Sequence, residues 1–130
     1  MFNYNLVQET IDTIVREFEP EIIIVFGSVA KGTADEYSDL DLLVVMDTNL
    51  GYYARASEIY RVVYRIPIPK DIIVLTPEEF ESEKENPLSF VSEIVRTGRV
   101  FYEAGECPAS ELLSKLVKQG LSDSDSGDGS

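Results

Sequence analysis

EIIIVFGSVAKGTADEYSDLDLLVV (21–45) sets two runs of strand formers on either side of a polar stretch and puts two aspartates at the mouth of the second run. The first run, EIIIVFG (21–27), is β-branched and bounded by glycine, which predicts a buried strand. SVAKGTA then reads as a brief helix, DEYS as a polar turn, and DLDLLVVM (39–46) as a second strand. Side chains two apart in an extended chain share a face, so Asp39 and Asp41 point the same way. Like charges so placed repel, and burial raises the cost unless a cation or hydrogen-bond donors compensate. Asp39 has a plain reading as the cap of the DEYS turn. Asp41 interrupts a hydrophobic run in mid-strand, where an unpartnered buried charge costs roughly 3 kcal/mol or more. A divalent cation answers the crowding, because magnesium takes oxygen ligands and binds through one or two carboxylates together with substrate phosphates.

The flanking segments predict helices and a third strand. From Asn3 to Phe18 the residues Leu6, Val7, Ile11, Ile14, Val15 and Phe18 recur at spacings of three and four, the pattern of an amphipathic helix that stops before Pro20. Tyr52 to Arg65 predicts a helix with Tyr53, Ala56, Tyr60 and Val63 on one face, and IPIP ends it because proline cannot continue a helix. KDIIVLT (70–76) predicts a strand, after which TPEEF opens a helix with Thr76 as cap and Pro77 in the first turn. SFVSEIVRTG predicts a further helix closed by Gly98, and RVFYE an edge strand or a terminal extension. ASELLSKLVKQG sets Ala109, Leu112, Leu113, Leu116 and Val117 on one face, whereas LSDSDSGDGS has no apolar periodicity and reads as disordered. The tail lacks the downstream glutamate of a calcium loop and reads as a solvated acidic segment. The expected organisation is one folded domain over 1–105, an amphipathic segment over 106–120 and a disordered acidic tail over 121–130.

Composition narrows the chemistry. The 130 residues suit one domain with a core of its own, and 44% of them are hydrophobic. With no histidine and a single cysteine, Cys107, the imidazole and paired-thiol routes to zinc or Cys-His catalysis are closed. A net charge of −13 repels phosphate backbones and predicts no direct nucleic-acid contact. No apolar run has the length of a membrane span, and MFNYNLVQET lacks the features of a signal peptide, so a cytoplasmic protein with no membrane contact is expected.

Gly27 and Ser28 fall where a strand ends and a short helix begins, a place where backbone N–H groups and a hydroxyl can receive phosphate oxygens. A glycine at a strand end is also an ordinary turn residue. A P-loop is excluded at its decisive position, since Lys31 precedes Gly32 instead of following it. Asp71, at the start of KDIIVLT, can approach the other two acids if its strand pairs beside DLDLLVVM. Three acids on adjacent strands can hold two metal ions, and in a chain without histidine Asp71 is the best available base. Its alternative is an exposed aspartate at a strand start.

The combination of G-S, ten intervening residues and D-x-D, here Gly27-Ser28 through Asp39-Leu40-Asp41, resembles the signature of the DNA polymerase β-like nucleotidyltransferases. It is most similar to the minimal nucleotidyltransferases, and the likeness runs from about Ile14 to Tyr102. The resemblance implies that Gly27 and Ser28 bind the triphosphate, that Asp39 and Asp41 bind magnesium, and that Asp71 completes a site for two Mg2+ ions. The family often has arginine where Lys31 stands, which makes Lys31 a candidate phosphate ligand or a solvated helix lysine. The implied fold is α/β (α+β), a small mixed sheet of three to four strands with helices packed on one face. The strands and helices read above agree with it.

Relatives with a second domain hold their acceptor there, whereas only 28 residues follow Tyr102, so an acceptor offered by another protein is expected. Stand-alone members of this family are typically paired with a HEPN-type toxin, and can transfer AMP from ATP to a tyrosine of that toxin. The resemblance therefore implies ATP as nucleotide donor, a HEPN-type partner and an antitoxin role, with self-association left open. Two other readings stand beside it: an antitoxin that acts by contact alone, and a small-molecule nucleotidyltransferase of the antibiotic-modifying kind.

Overall fold

The computed structural model describes residues 2–104, which form a four-stranded sheet in the order β3-β2-β1-β4. The elements follow in chain order as α1 (Tyr4–Phe18), β1 (Ile22–Phe26), α2 (Ser28–Lys31), β2 (Leu40–Val45), α3 (Tyr52–Val63), β3 (Lys70–Leu75), α4 (Pro77–Lys84), α5 (Phe90–Thr97) and β4 (Arg99–Glu103). β1 lies antiparallel to β2 and β4, while β2 and β3 are parallel. The parallel pair needs a crossover, and α3 supplies it. RVFYE is thus an edge strand. The expected segments 106–120 and 121–130 lie outside the described residues.

α1, α4 and α5 each begin where a polar side chain meets the free N–H groups of the first turn, whereas α2 and α3 begin at Gly27 and Gly51. Asn3 accepts from the Asn5 N–H at 3.0 Å to start α1, and Ser89 accepts from Ser92 N–H at 3.0 Å to start α5. Thr76 and Glu79 form a reciprocal capping box at the head of α4, with Pro77 in its first turn. α1 stops at Glu19, which takes a left-handed conformation (φ 50°) immediately before Pro20. Among the described residues, no helix is long and apolar enough to cross a membrane.

The mixed sheet and its helices match the expected fold class, with one correction to the layering. Helices cover both faces. α1 and α3 pack Val7, Ile11, Ile14, Ile59 and Val63 on Ile23, Val25, Leu42, Val44, Ile72 and Val74. α4 and α5 pack Phe80, Val91 and Ile94 on Ile24, Leu43, Val45 and Leu75, so an expectation of helices on one face accounts for only half of the core. The reason lies in β2, whose residues 42–45 are apolar without alternation and bury both of their faces.

The buried stripe of α3 also differs from the expected one. It runs through Arg55, Ile59 and Val63, while Tyr53 is 84% exposed. Arg55 tolerates burial because its donors are answered: Nε donates to Leu50 O at 2.8 Å, and Nη1 and Nη2 donate to the two oxygens of Glu79 at 2.7 and 3.2 Å. Nη1 also lies 3.4 Å from Val74 O, so one guanidinium ties α3 to β3 and α4.

Candidate active site

β1 ends, and β2 and β3 begin, at the same end of the sheet. That geometry gathers residues far apart in sequence. Asp41 stands opposite Phe26 across the antiparallel pair and opposite Asp71 across the parallel pair. Neighbouring strands lie about 4.8 Å apart, so the Asp41 and Asp71 backbones are immediate neighbours with side chains on one face. Asp39, just before β2, is exposed, and its charge is near enough to act on Asp41.

Gly27 closes the site from the β1 side. Its backbone (φ 77°, ψ −153°) lies in a region that side chains other than glycine rarely enter, and a Cβ there would overlap Asp41 Oδ2. Glycine at 27 therefore lets chain and carboxylate come close together. Ser28 opens α2, a single turn held by Lys31 N–H on Gly27 O at 3.1 Å and closed by Gly32 (φ 77°). Thr33 N–H donates back to Ser28 O at 3.0 Å. The structure thus brings Gly27, Ser28, Asp41 and Asp71 together, with Asp39 at the rim. Lys31 is exposed on the last turn of α2.

The electrostatics follow from the packing. Partial burial first, then the charges of Asp71 and Asp39, hold the Asp41 carboxyl above the usual carboxylate range. Lys70, next to Asp71 in sequence, turns its ammonium onto Ile66 O and Ile68 O at 2.9 Å each, so its charge is engaged away from the acids. Tyr60 stiffens the strand around Asp71: its hydroxyl accepts from Ile72 N–H at 2.9 Å and donates to Lys70 O at 3.3 Å. Among the described residues no three acidic side chains already converge as a metal cage. Magnesium does not require one, since it keeps several waters and uses one or two carboxylates plus phosphate oxygens. The donor set is oxygen only, acidic and crowded against a glycine gap, and it fits a hard divalent cation.

Two features escape a reading of the sequence. Arg99, the first residue of β4, donates from Nε to Ala30 O at 2.9 Å and so ties the edge strand to α2. No local pattern signals a contact across so much intervening chain. Phe90 packs edge-to-face on Phe26, with ring centroids 5.7 Å apart and planes at 84°. Here a signal exists, because Phe90 falls off the buried Val91–Ile94 stripe of its helix. A cavity of about 150 Å³ lined by Phe2, Leu6, Ser38, Ile68 and Pro69 opens beside α1, away from the face that carries the acids.

The family model described as nucleotidyltransferase domain matches residues 7–99. The chain belongs to that family. The nucleotidyltransferase domain is 32% identical over 91 residues to a protein of Methanocaldococcus jannaschii that carries the provisional name protein adenylyltransferase, covering 65% of this chain and 62% of that one. A second protein of the same organism and provisional name is 30% identical over 98 residues, covering 74% of this chain and 94% of the relative. In fold, the domain is similar to a chain in a crystal structure of a toxin–antitoxin with AMP-PNP, with a TM-score of 0.53, 18% identity, and coverage of 92% of this chain and 88% of the other.

Proposed function

We propose that this nucleotidyltransferase domain transfers a nucleoside monophosphate, AMP from ATP, to a hydroxyl of a partner protein, as the antitoxin of a HEPN-type toxin pair. The observation that carries this reading is the register of Asp41 against Asp71 beside the gap at Gly27. The names of the two archaeal relatives support protein as acceptor and adenylate as the group moved. The likeness to a toxin–antitoxin structure with AMP-PNP supports a toxin as partner and an ATP-like donor. The net charge of −13 disfavours an RNA acceptor and favours a basic, nucleic-acid-handling partner. A cytoplasmic setting is in keeping with ATP as the donor.

In this reading Gly27 and Ser28 receive triphosphate oxygens on backbone N–H groups and the serine hydroxyl. Lys31, at the end of that single turn, adds an exposed positive charge. Asp39, Asp41 and Asp71 would hold magnesium, two ions in the full site, which when bound offsets the charge of the triphosphate and of the attacking oxygen. Asp71 accepts the proton of the acceptor hydroxyl. That oxygen then bonds to the α-phosphorus as the bond to the leaving pyrophosphate breaks.

Incubating the protein with labelled ATP, magnesium and the product of the neighbouring gene should place an added AMP mass on that neighbour. The Asp39→Ala, Asp41→Ala double variant should leave the neighbour unlabelled. A neighbour inhibited equally by both proteins, and never acquiring the mass, makes contact inhibition the function instead.

A further inference from the structure

We infer that Phe90, braced by Phe26, is the surface on which the base of the bound nucleoside triphosphate stacks, an inference that rests on the triphosphate reading of Gly27, Ser28 and Asp41. Phe26 is the cross-strand partner of Asp41, so the two side chains leave the sheet on the same face, about 5 Å apart at their roots. It is also the residue before Gly27 and marks the edge of the phosphate loop. Its ring meets Phe90 edge-to-face at 5.7 Å, which holds the Phe90 ring in place from one side. The rest of Phe90 is open, with 59% of the residue exposed, and Leu88, two positions earlier, is 92% exposed. A single exposed aromatic residue is ordinary. This one rests against a second ring, off the buried stripe of α5, one side chain away from the carboxylate that would face the phosphates. A nucleotide anchored by its phosphates at that carboxylate has its base to place a sugar's length away, and a flat apolar surface is there.

Stacking reads a π-face and not a base edge, so this surface should accept every base and favour purines over pyrimidines for their larger area. Calorimetric titration with Mg·ATP and with magnesium tripolyphosphate, which has no base, separates the base from the phosphates. Phe90→Leu keeps apolar bulk and removes the ring. It should weaken Mg·ATP on the order of 10- to 100-fold, the usual worth of base stacking, and leave tripolyphosphate unchanged. Phe90→Trp should retain or tighten ATP. Equal weakening of both probes, or no change in either, overturns the inference while the phosphate site stands. Wild-type protein that binds neither probe in magnesium overturns the triphosphate reading and this inference with it.

Discussion

The two ends of the β2–β3 pair treat charge in opposite ways. Near the end of β3, Arg55 is buried with 8% of its surface exposed, and its guanidinium is spent on Leu50 O, Val74 O and both oxygens of Glu79. At the beginning of the same strands, Asp41 and Asp71 stand side by side, with Asp39 close in sequence adding to the like charge on Asp41. The first end is a closed account of donors and acceptors. The second crowds three acids, one of them partly buried, and such a cluster of like charge is where the proposed cation and phosphates would be needed.

The comparison breaks most visibly in activity. Asp71→Asn should lower adenylyl transfer by about 100-fold or more, as expected for loss of a base and metal ligand acting in the transition state. Its melting temperature should stay near that of the parent, because Asp71 is exposed and its backbone is held by Tyr60. Initial rates and a thermal melt on the same preparation decide the matter, and a matching loss of folding would make Asp71 structural.

At the closed end the effect should be on stability alone. Arg55→Ala leaves two backbone carbonyls without this donor and the Glu79 carboxylate with only the Thr76 N–H, which should cost about 2–3 kcal/mol and lower Tm by roughly 10–20 °C. Arg55→Lys should rescue little of this, because an ammonium cannot reproduce the fork that meets both Glu79 oxygens. Denaturant midpoints at constant slope would measure both. Glu79→Gln is the milder test, about 1 kcal/mol at neutral pH once solvent screening of the partly exposed carboxylate is allowed for. The hydrogen bonds from Arg55, then that from the Thr76 backbone, hold the Glu79 carboxyl below its usual range. Its folded value is therefore the lower one: the stabilisation is full above the unfolded value of about 4.3 and fades as pH falls through the folded value. The gap between parent and variant should close from about pH 5 downward.

These contrasts also mark what was legible in the chain. Strands 21–27 and 39–46, the turn between them and the D-x-D phase follow from local composition and a two-residue period, so the core of the site could be read directly. The pairing of Asp71 with Asp41 follows from the sequence only if their strands are adjacent, a condition that the parallel register meets. The second helical layer was not legible, because a run such as LLVV is compatible with burial on either face or both. Arg55 was hidden for the opposite reason: a charged residue on a helix reads as solvent-facing until its distant partner Glu79 is known. Phe90 carried only the weak mark of an apolar residue off its helix stripe, and its meaning depends on Phe26, sixty-four positions earlier.

The smallest expected effect sharpens the comparison most, because it asks the same chemical change to act with opposite sign. Glu79→Gln replaces a carboxylate by an amide where a cation sits against it, and the fold weakens. Asp41→Asn makes the same replacement where partial burial and two like charges surround the group, so in the metal-free protein it should strengthen the fold. Asp41 is only partly buried, and solvent screening holds the gain to less than about 1 kcal/mol, or a Tm rise of a few degrees. Gly27 stays compatible with the change, since an asparagine has the outline of the aspartate it replaces. Magnesium then supplies the internal control: adding it should raise the Tm of the parent by mass action on the folded state and do much less for the variant. A variant less stable than its parent in EDTA would mean that Asp41 is answered within the fold after all, and that the two ends of the sheet differ less than their geometry says.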